Sequence, residues 1–210
     1  MKITKFVHSC LLVETPERVA VFDPGVYSTL SIDALDRLDD IFITHIHADH
    51  LDGDLVKDLA AKFPKVRITT TAEIAEQLQA MGVLQAGTEP PKGVSLFASP
   101  HEHIRPYFPT EPPQEIGVHY LDKLSHPGDS HSFKETKAIL ALPVQAPWGS
   151  VVGATRLGLE LKPKYIVPIH DWHWNDEARK GAYEQLEQDF AERGITFIKA
   201  VDGEPFELDV

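Results

Sequence analysis

Three histidines and an aspartate fall within six residues, His45-Ile46-His47-Ala48-Asp49-His50, and nothing else in the chain limits its folding so tightly. They follow directly on Asp40-Ile41-Phe42-Ile43-Thr44, an apolar run of strand length. In extended backbone, residues two apart project to the same side, so His45 and His47 form a pair. A turn after them brings Asp49 and His50 in from another direction. Imidazole nitrogens and a carboxylate oxygen then sit at the end of a rigid strand, a donor set suited to zinc, manganese or iron. A loose cluster of surface histidines is the plainer alternative, and the apolar strand immediately upstream argues against it.

Around this segment the pattern predicts short strands over 2–7, 10–14, 18–22 and 40–44. A helix over 52–63 is capped by Asp52, a strand follows over 66–69, and a helix over 72–81 is ended by Gly82. Residues 85–93 read as a connection and 94–98 as a strand. Residues 104–117 carry Pro106, Pro109, Pro112 and Pro113 and read as an irregular loop, a lid or a site rim. Strands are expected again near 118–122, 137–142, 164–168, 195–199 and 205–208, with helices over 150–161 and 177–193. Strands come in consecutive groups, with helices between and after them. That order fits an α+β arrangement of two mixed sheets packed face to face with helices outside, not an alternating doubly wound sheet. One domain over 1–210 is expected. A chain of this length buries a core without a disulfide or structural metal, so a bound metal would serve chemistry.

The formal net charge of −12 repels phosphate backbones and argues against nucleic acid as a partner. Two divalent ions would add four positive charges in one cleft, which could still draw in a small anionic substrate. Cys10 is the one cysteine, which excludes internal disulfides and thiolate-rich zinc sites and suits a reducing cytoplasm. The N-terminal residues do not read as a signal peptide, and no span approaches transmembrane length, so no membrane association is expected. The oligomeric state is left open.

Thr44-His45-Ile46-His47-Ala48-Asp49-His50-Leu51-Asp52-Gly53 resembles the signature loop of the metallo-β-lactamase fold superfamily. Val21-Phe22-Asp23-Pro24-Gly25 resembles that superfamily's first motif. Ser99-Pro100-His101-Glu102, His126-Pro127-Gly128-Asp129-Ser130 and Val167-Pro168-Ile169-His170-Asp171 follow in the superfamily's order. The run from His126 and the later Ala146-Pro147-Trp148-Gly149 look like its small, single-domain, lactonase-like branch. The resemblance implies a four-layer αββα sandwich with a dinuclear metal site at one sheet edge. His45, His47 and His101 would hold one metal; Asp49, His50 and His170 the second; Asp129 would bridge them. Zinc is the first choice, with manganese or iron as alternatives. The seven ligands would come from five strand ends. Asp23 would orient the histidine loop by hydrogen bonds.

His103 competes with His101 for the third position, and His101 is preferred because it follows the strand predicted over 94–98. His8, in Val7-His8-Ser9-Cys10, stands where the branch has a Gly-His-Ala-like segment, but without its glycine. His8 and His126 are open between a substrate-facing or orienting role and that of a plain hydrogen-bonded structural histidine. His119 and His131 read as structural. The reaction implied is hydrolysis of a small ester, lactone or phosphodiester by a bridging hydroxide, with Asp49 orienting the nucleophile and handling its proton. A non-hydrolytic metal-binding, redox or sensing role on the same fold is the alternative. No G-x-S-x-G is present to suggest a serine nucleophile.

Overall fold

The computed structural model describes residues 1–103 and 111–210, so part of the loop expected over 104–117 lies outside the described residues. The chain divides into two compact units, one of Met1–Lys92 with Val201–Val210, the other of Gly93–Ala200. The division falls at Lys92/Gly93 and Ala200/Val201, not in the proline-bearing loop.

In the first unit, β1 (Lys2–Lys5), β2 (Leu11–Glu14) and β3 (Val19–Phe22) form an antiparallel meander, because the turns joining them are short. From β3 onward the strands run parallel: β4 (Asp40–Phe42), β5 (Arg67–Thr69) and β6 (Ala86–Gly87). The crossovers from β4 to β5 and from β5 to β6 are the helices α1 (Gly53–Lys62) and α2 (Ala72–Ala80). Asp52 caps α1 by accepting from the Asp54 and Leu55 amides, as its sequence position suggests. Leu12, Val21, Ile41 and Ile68 share one sheet face and pack with Val56, Leu59, Ile74 and Leu78 of the helices. Each such side chain, fully buried, contributes about 1.5–3 kcal/mol. A last strand, Pro205–Glu207, pairs antiparallel with β1 and closes the order of this sheet.

In the second unit, β7 (Val94–Phe97), β8 (Gly117–Tyr120) and β9 (Leu124–His126) again form a meander. β10 (Ile139–Pro143), β11 (Tyr165–Ile169) and β12 (Thr196–Phe197) continue it in parallel. The crossovers are α3 (Val151–Leu161), capped by Ser150, and α4 (Asp176–Ala191), capped by Asn175. Gly158 of α3 meets the Phe190 ring of α4 so closely that an added Cβ would lie 2.6 Å from it, which lets the two helices approach. With the last strand, Pro205–Glu207, called β13, the described residues form two mixed sheets, β13-β1-β2-β3-β4-β5-β6 and β12-β11-β10-β9-β8-β7. The α+β class therefore matches the expectation.

Two strands escape the sequence pattern. β6 is only two residues long inside the predicted connection 85–93, and β9 is three residues between a turn and a loop. Runs that short carry no period, so only pairing with a neighbour defines them.

His119 in β8 is buried, stacks on Phe97 at 4.3 Å and lies 2.8 Å from Ser125 Oγ. Ser125 Oγ also accepts the Lys137 amide at 2.8 Å. Burial first, and then the Lys137 charge, hold this imidazole below the ordinary histidine value of 6.5. As pH falls through that value, the unfolded chain takes up a proton that folded His119 refuses. Its stabilising contribution is therefore full above 6.5 and shrinks in more acid solution. The stability gap between the natural chain and His119→Phe should be largest near pH 8 and narrower near pH 5.5, read by urea unfolding; a gap that widens in acid contradicts this account.

Candidate metal centre

Strand direction decides where the functional side chains emerge. In the first sheet β1, β3 and β4 all point the same way, since two antiparallel steps restore the direction and β3 and β4 are parallel. The turn after β1 carries His8, the residue after β3 is Asp23, and the segment after β4 carries His45 to His50. All of them therefore leave the same edge of the first sheet. In the second sheet β7, β9 and β11 share a direction by the same reasoning. His101 follows β7, Asp129 follows β9 and His170 follows β11, again on one edge of their sheet. The seven expected ligands thus follow four strands and not five, because four of them share the exit of β4.

Asp23 organises the edge of the first sheet. It is fully buried and adopts φ 42°, a left-handed conformation that aspartate tolerates better than most residues. Its Oδ1 accepts the Thr44 amide at 2.8 Å. Its Oδ2 accepts the Thr44 hydroxyl at 2.8 Å and His50 Nδ1–H at 2.7 Å. With its proton committed to Asp23, Thr44 Oγ1 accepts from His45 Nδ1–H at 3.1 Å. Both histidines therefore carry their lone pair on Nε2. His45 Nε2 lies 3.1 Å from His47 Nδ1, and the His45 and His50 rings are 4.1 Å apart. Asp49 Oδ2 is 3.1 Å from Nε2 of buried His8 and 4.0 Å from His50 Nε2. His8, Asp49 and His50 each offer a donor atom within 4.8 Å of the others. His47 is exposed and Asp49 partly so.

The edge of the second sheet follows the same rule. His170 adopts φ 62° directly after β11, and its Nδ1–H donates to the Gln145 carbonyl at 2.7 Å. His101 Nδ1–H donates to the Glu102 carbonyl at 2.7 Å. A carbonyl only accepts, so Nδ1 carries a hydrogen in both rings, and in the neutral imidazole Nε2 carries the lone pair. His170 Nε2 lies 3.1 Å and His101 Nε2 3.7 Å from Asp129 Oδ2, an oxygen that also accepts Trp148 Nε1–H at 3.0 Å. Of the two rivals at the third position, His101 is thus the one set beside Asp129, while His103 is exposed. The Asp129 amide donates to Glu115 Oε1, and Glu102 Oε1 accepts the His131 amide at 3.2 Å and the Ser132 hydroxyl at 2.7 Å. His126 is fully buried, and its Nδ1 accepts the Gly128 amide at 3.4 Å in the turn that presents Asp129. His131 donates through Nε2 to the Pro143 carbonyl at 2.8 Å.

These arrangements hold donor atoms about 3 Å apart, where two lone pairs would repel unless a proton or a metal cation lies between them. Ligand atoms bound at about 2.0–2.2 Å to one ion stand about 3.0–3.5 Å apart at tetrahedral or octahedral angles. The donor set on each edge therefore fits divalent metal. Hydrogen bonding at the far ring nitrogen, which turns Nε2 inward, is what metal-binding histidines require.

The β-lactamase superfamily domain model matches residues 2–170. The chain belongs to this superfamily. Its members are metal-dependent hydrolases, and the fold is that of the metallo-β-lactamases. Protein Rv0786c of Mycobacterium tuberculosis is 31% identical over 198 residues, covering 89% of this chain and 91% of its own. Among solved structures, Igni18, a metallo hydrolase of Ignicoccus hospitalis, matches with a TM-score of 0.70 at 18% identity over 99% of both chains. A possible metal-dependent hydrolase of Veillonella parvula matches with a TM-score of 0.74 at 14% identity, also over 99% of both. Among the described residues no helix is long and apolar enough to cross a membrane.

Superfamily motifs point to the donor residues but not to what surrounds them. The parts played by Trp148, Glu102, Glu115 and the Gln145 carbonyl are not legible in the residues themselves. Trp148 lies in a run that resembles the lactonase-like branch, yet nothing in that run announces a bond to Asp129.

Gly25, just past Asp23, is forced by space: a Cβ there would lie 2.0 Å from the Asp49 carbonyl oxygen. Gly25→Ala should cost about 2 kcal/mol and displace the Asp49–His50 segment, whereas Gly87→Ala, with open space around it, should change stability by less than about 0.5 kcal/mol. Chemical denaturation of the two variants checks this; equal effects would remove the crowding argument.

Proposed function

We propose that the chain binds a pair of divalent metal ions and that the protein hydrolyses a small ester, lactone or phosphodiester. The supporting observation is the set of imidazole Nε2 atoms turned toward carboxylate oxygens, in His50, His101 and His170, or toward a second imidazole, in His45, by hydrogen bonds at the opposite ring nitrogen. His45, His47 and His101 would hold one ion, Asp49, His50 and His170 the other, with Asp129 shared. Residues 1–210 would then act as one functional domain, since neither unit carries the full set. Imidazole with carboxylate suits zinc first, and manganese or iron next. Bound there, the ions would supply hydroxide near neutral pH and stabilise negative charge developing on the substrate.

The protein's own groups carry the remaining tasks. Asp49 is partly exposed, so its carboxylate can orient an incoming water and accept its proton. His8, buried behind it at 3.1 Å, holds that carboxylate in place. His126 is also fully buried, which favours an orienting role in the turn before Asp129 over contact with substrate. Asp23 keeps His45 and His50 in one tautomer each. Trp148 donates to Asp129 and so restrains which oxygen that carboxylate offers. The substrate is a small molecule, and a locally cationic site in a chain of net charge −12 would favour an anionic one. A reducing cytoplasm is the proposed location. Cys10 is buried, and burial pushes its thiol up to about 12, so it stays an unreactive thiol.

Metal analysis of the purified protein, followed by a panel of ester, lactone and phosphodiester substrates, tests this reading. His47→Ala should lose metal and more than about 100-fold in rate, beyond the 10–100-fold typical when only an outer partner of a ligand is removed. Far-UV circular dichroism should be unchanged. Full metal content with full rate would remove His47 from the centre. Redox-active iron without hydrolysis would favour the non-hydrolytic alternative.

A further inference from the structure

The turn joining β1 to β2 is built in an unusual way. Val7 and His8 are consecutive non-glycine residues with φ 65° and 55°. A β-branched residue rarely enters this region, so the turn is strained and needs outside support. Within the turn, Phe6 N–H donates to the Cys10 carbonyl at 2.8 Å and Cys10 N–H to the Val7 carbonyl at 3.1 Å. The Thr29 amide donates to the Phe6 carbonyl at 3.3 Å, and further support comes from the far end of the chain. Asp202 Oδ1 accepts the Val7 amide at 3.2 Å and the Lys5 ammonium at 3.0 Å, and the Gly203 amide donates to the Lys5 carbonyl at 2.7 Å. Lys5 is fully buried. Asp202 lies beyond the segment matched by the superfamily model.

We infer that Asp202 is a positioning residue: by holding the Val7 amide it keeps the left-handed Val7–His8 turn in place, and so keeps His8 Nε2 against the Asp49 carboxylate. This rests on the reading of Asp49 as a metal ligand and proton acceptor. The C-terminal segment thereby acts on the centre through one backbone hydrogen bond, 3.1 Å of His8–Asp49 contact away from the ligand itself. Removing Asp202 alone would also take an ion-pair partner from buried Lys5, a loss unrelated to the Val7 amide. The test therefore uses Lys5→Met as background, which removes the ion pair.

In that background Asp202→Asn keeps an acceptor for the Val7 amide and Asp202→Leu, of similar size, does not. Three readouts are taken on the full chain: amide exchange at Val7, the imidazole nitrogen spectrum of His8 in metal-free protein, and the affinity for zinc alone measured against a chelator. The Asn variant should keep a protected Val7 amide, a single ordered His8 ring and the zinc affinity of Lys5→Met. The Leu variant should lose protection, show an averaged His8 ring and bind the Asp49-bound zinc about ten-fold more weakly. Adding Val7→Gly should recover most of that loss, because glycine enters the left-handed region without strain. A Leu variant indistinguishable from the Asn variant overturns the inference. So does a Val7 amide in the natural chain that exchanges as freely as an exposed one, a measurement that needs no variant to fold. Failure of the natural chain to take up zinc would instead overturn the metal reading, and the first two readouts would still decide the turn.

Discussion

Four histidine rings of the candidate centre are oriented by the groups that accept their Nδ1 protons. Asp23 and Thr44 hold Nδ1 of His50 and His45, and main-chain carbonyls hold Nδ1 of His170 and His101. Each bond settles a tautomer and a ring direction together. Their Nε2 atoms then face carboxylate oxygens or a second imidazole at 3.1–3.7 Å, the spacing of atoms that share a proton or a metal cation. The rest of each unit can be understood as the frame that holds these acceptors still.

That frame exploits strand polarity. A meander followed by parallel strands brings alternate loops to one edge of each sheet. Asp23 and the His45–His50 segment leave adjacent parallel strands, which is why a carboxylate 27 residues before His50 can reach its ring. Gly25 allows the two exits to pack, since any side chain there would run into Asp49. Four of the seven left-handed non-glycine residues lie at these edges, Val7, His8 and Asp23 in one sheet and His170 in the other, while Leu121, Asp122 and Lys162 lie elsewhere. Such conformations cost energy, and their presence beside donor side chains marks where packing has been spent on geometry.

Most secondary structure was legible because its periods are clean. The helices at 53–62, 72–80, 151–161 and 176–191 fall within two residues of their expected limits. β6 and β9 were not legible, since two or three residues define no period. Among site residues, the donors were legible through their spacing and their likeness to superfamily motifs. Trp148, Glu102 and Asp202 were not, because tryptophan, glutamate and aspartate occur in many roles and only their neighbours in space distinguish them.

The sequence alone determined the donor types, the segment in which four of them cluster, the α+β class and the superfamily, because these depend on local pattern and order. Tertiary structure decided which group holds Nδ1 of four histidines, that His101 stands beside Asp129, and that residue 202 supports residue 7. Those outcomes depend on hydrogen bonds between segments 20 to 200 residues apart. No local pattern encodes such partners, since the pairing exists only once the strands have set their edges.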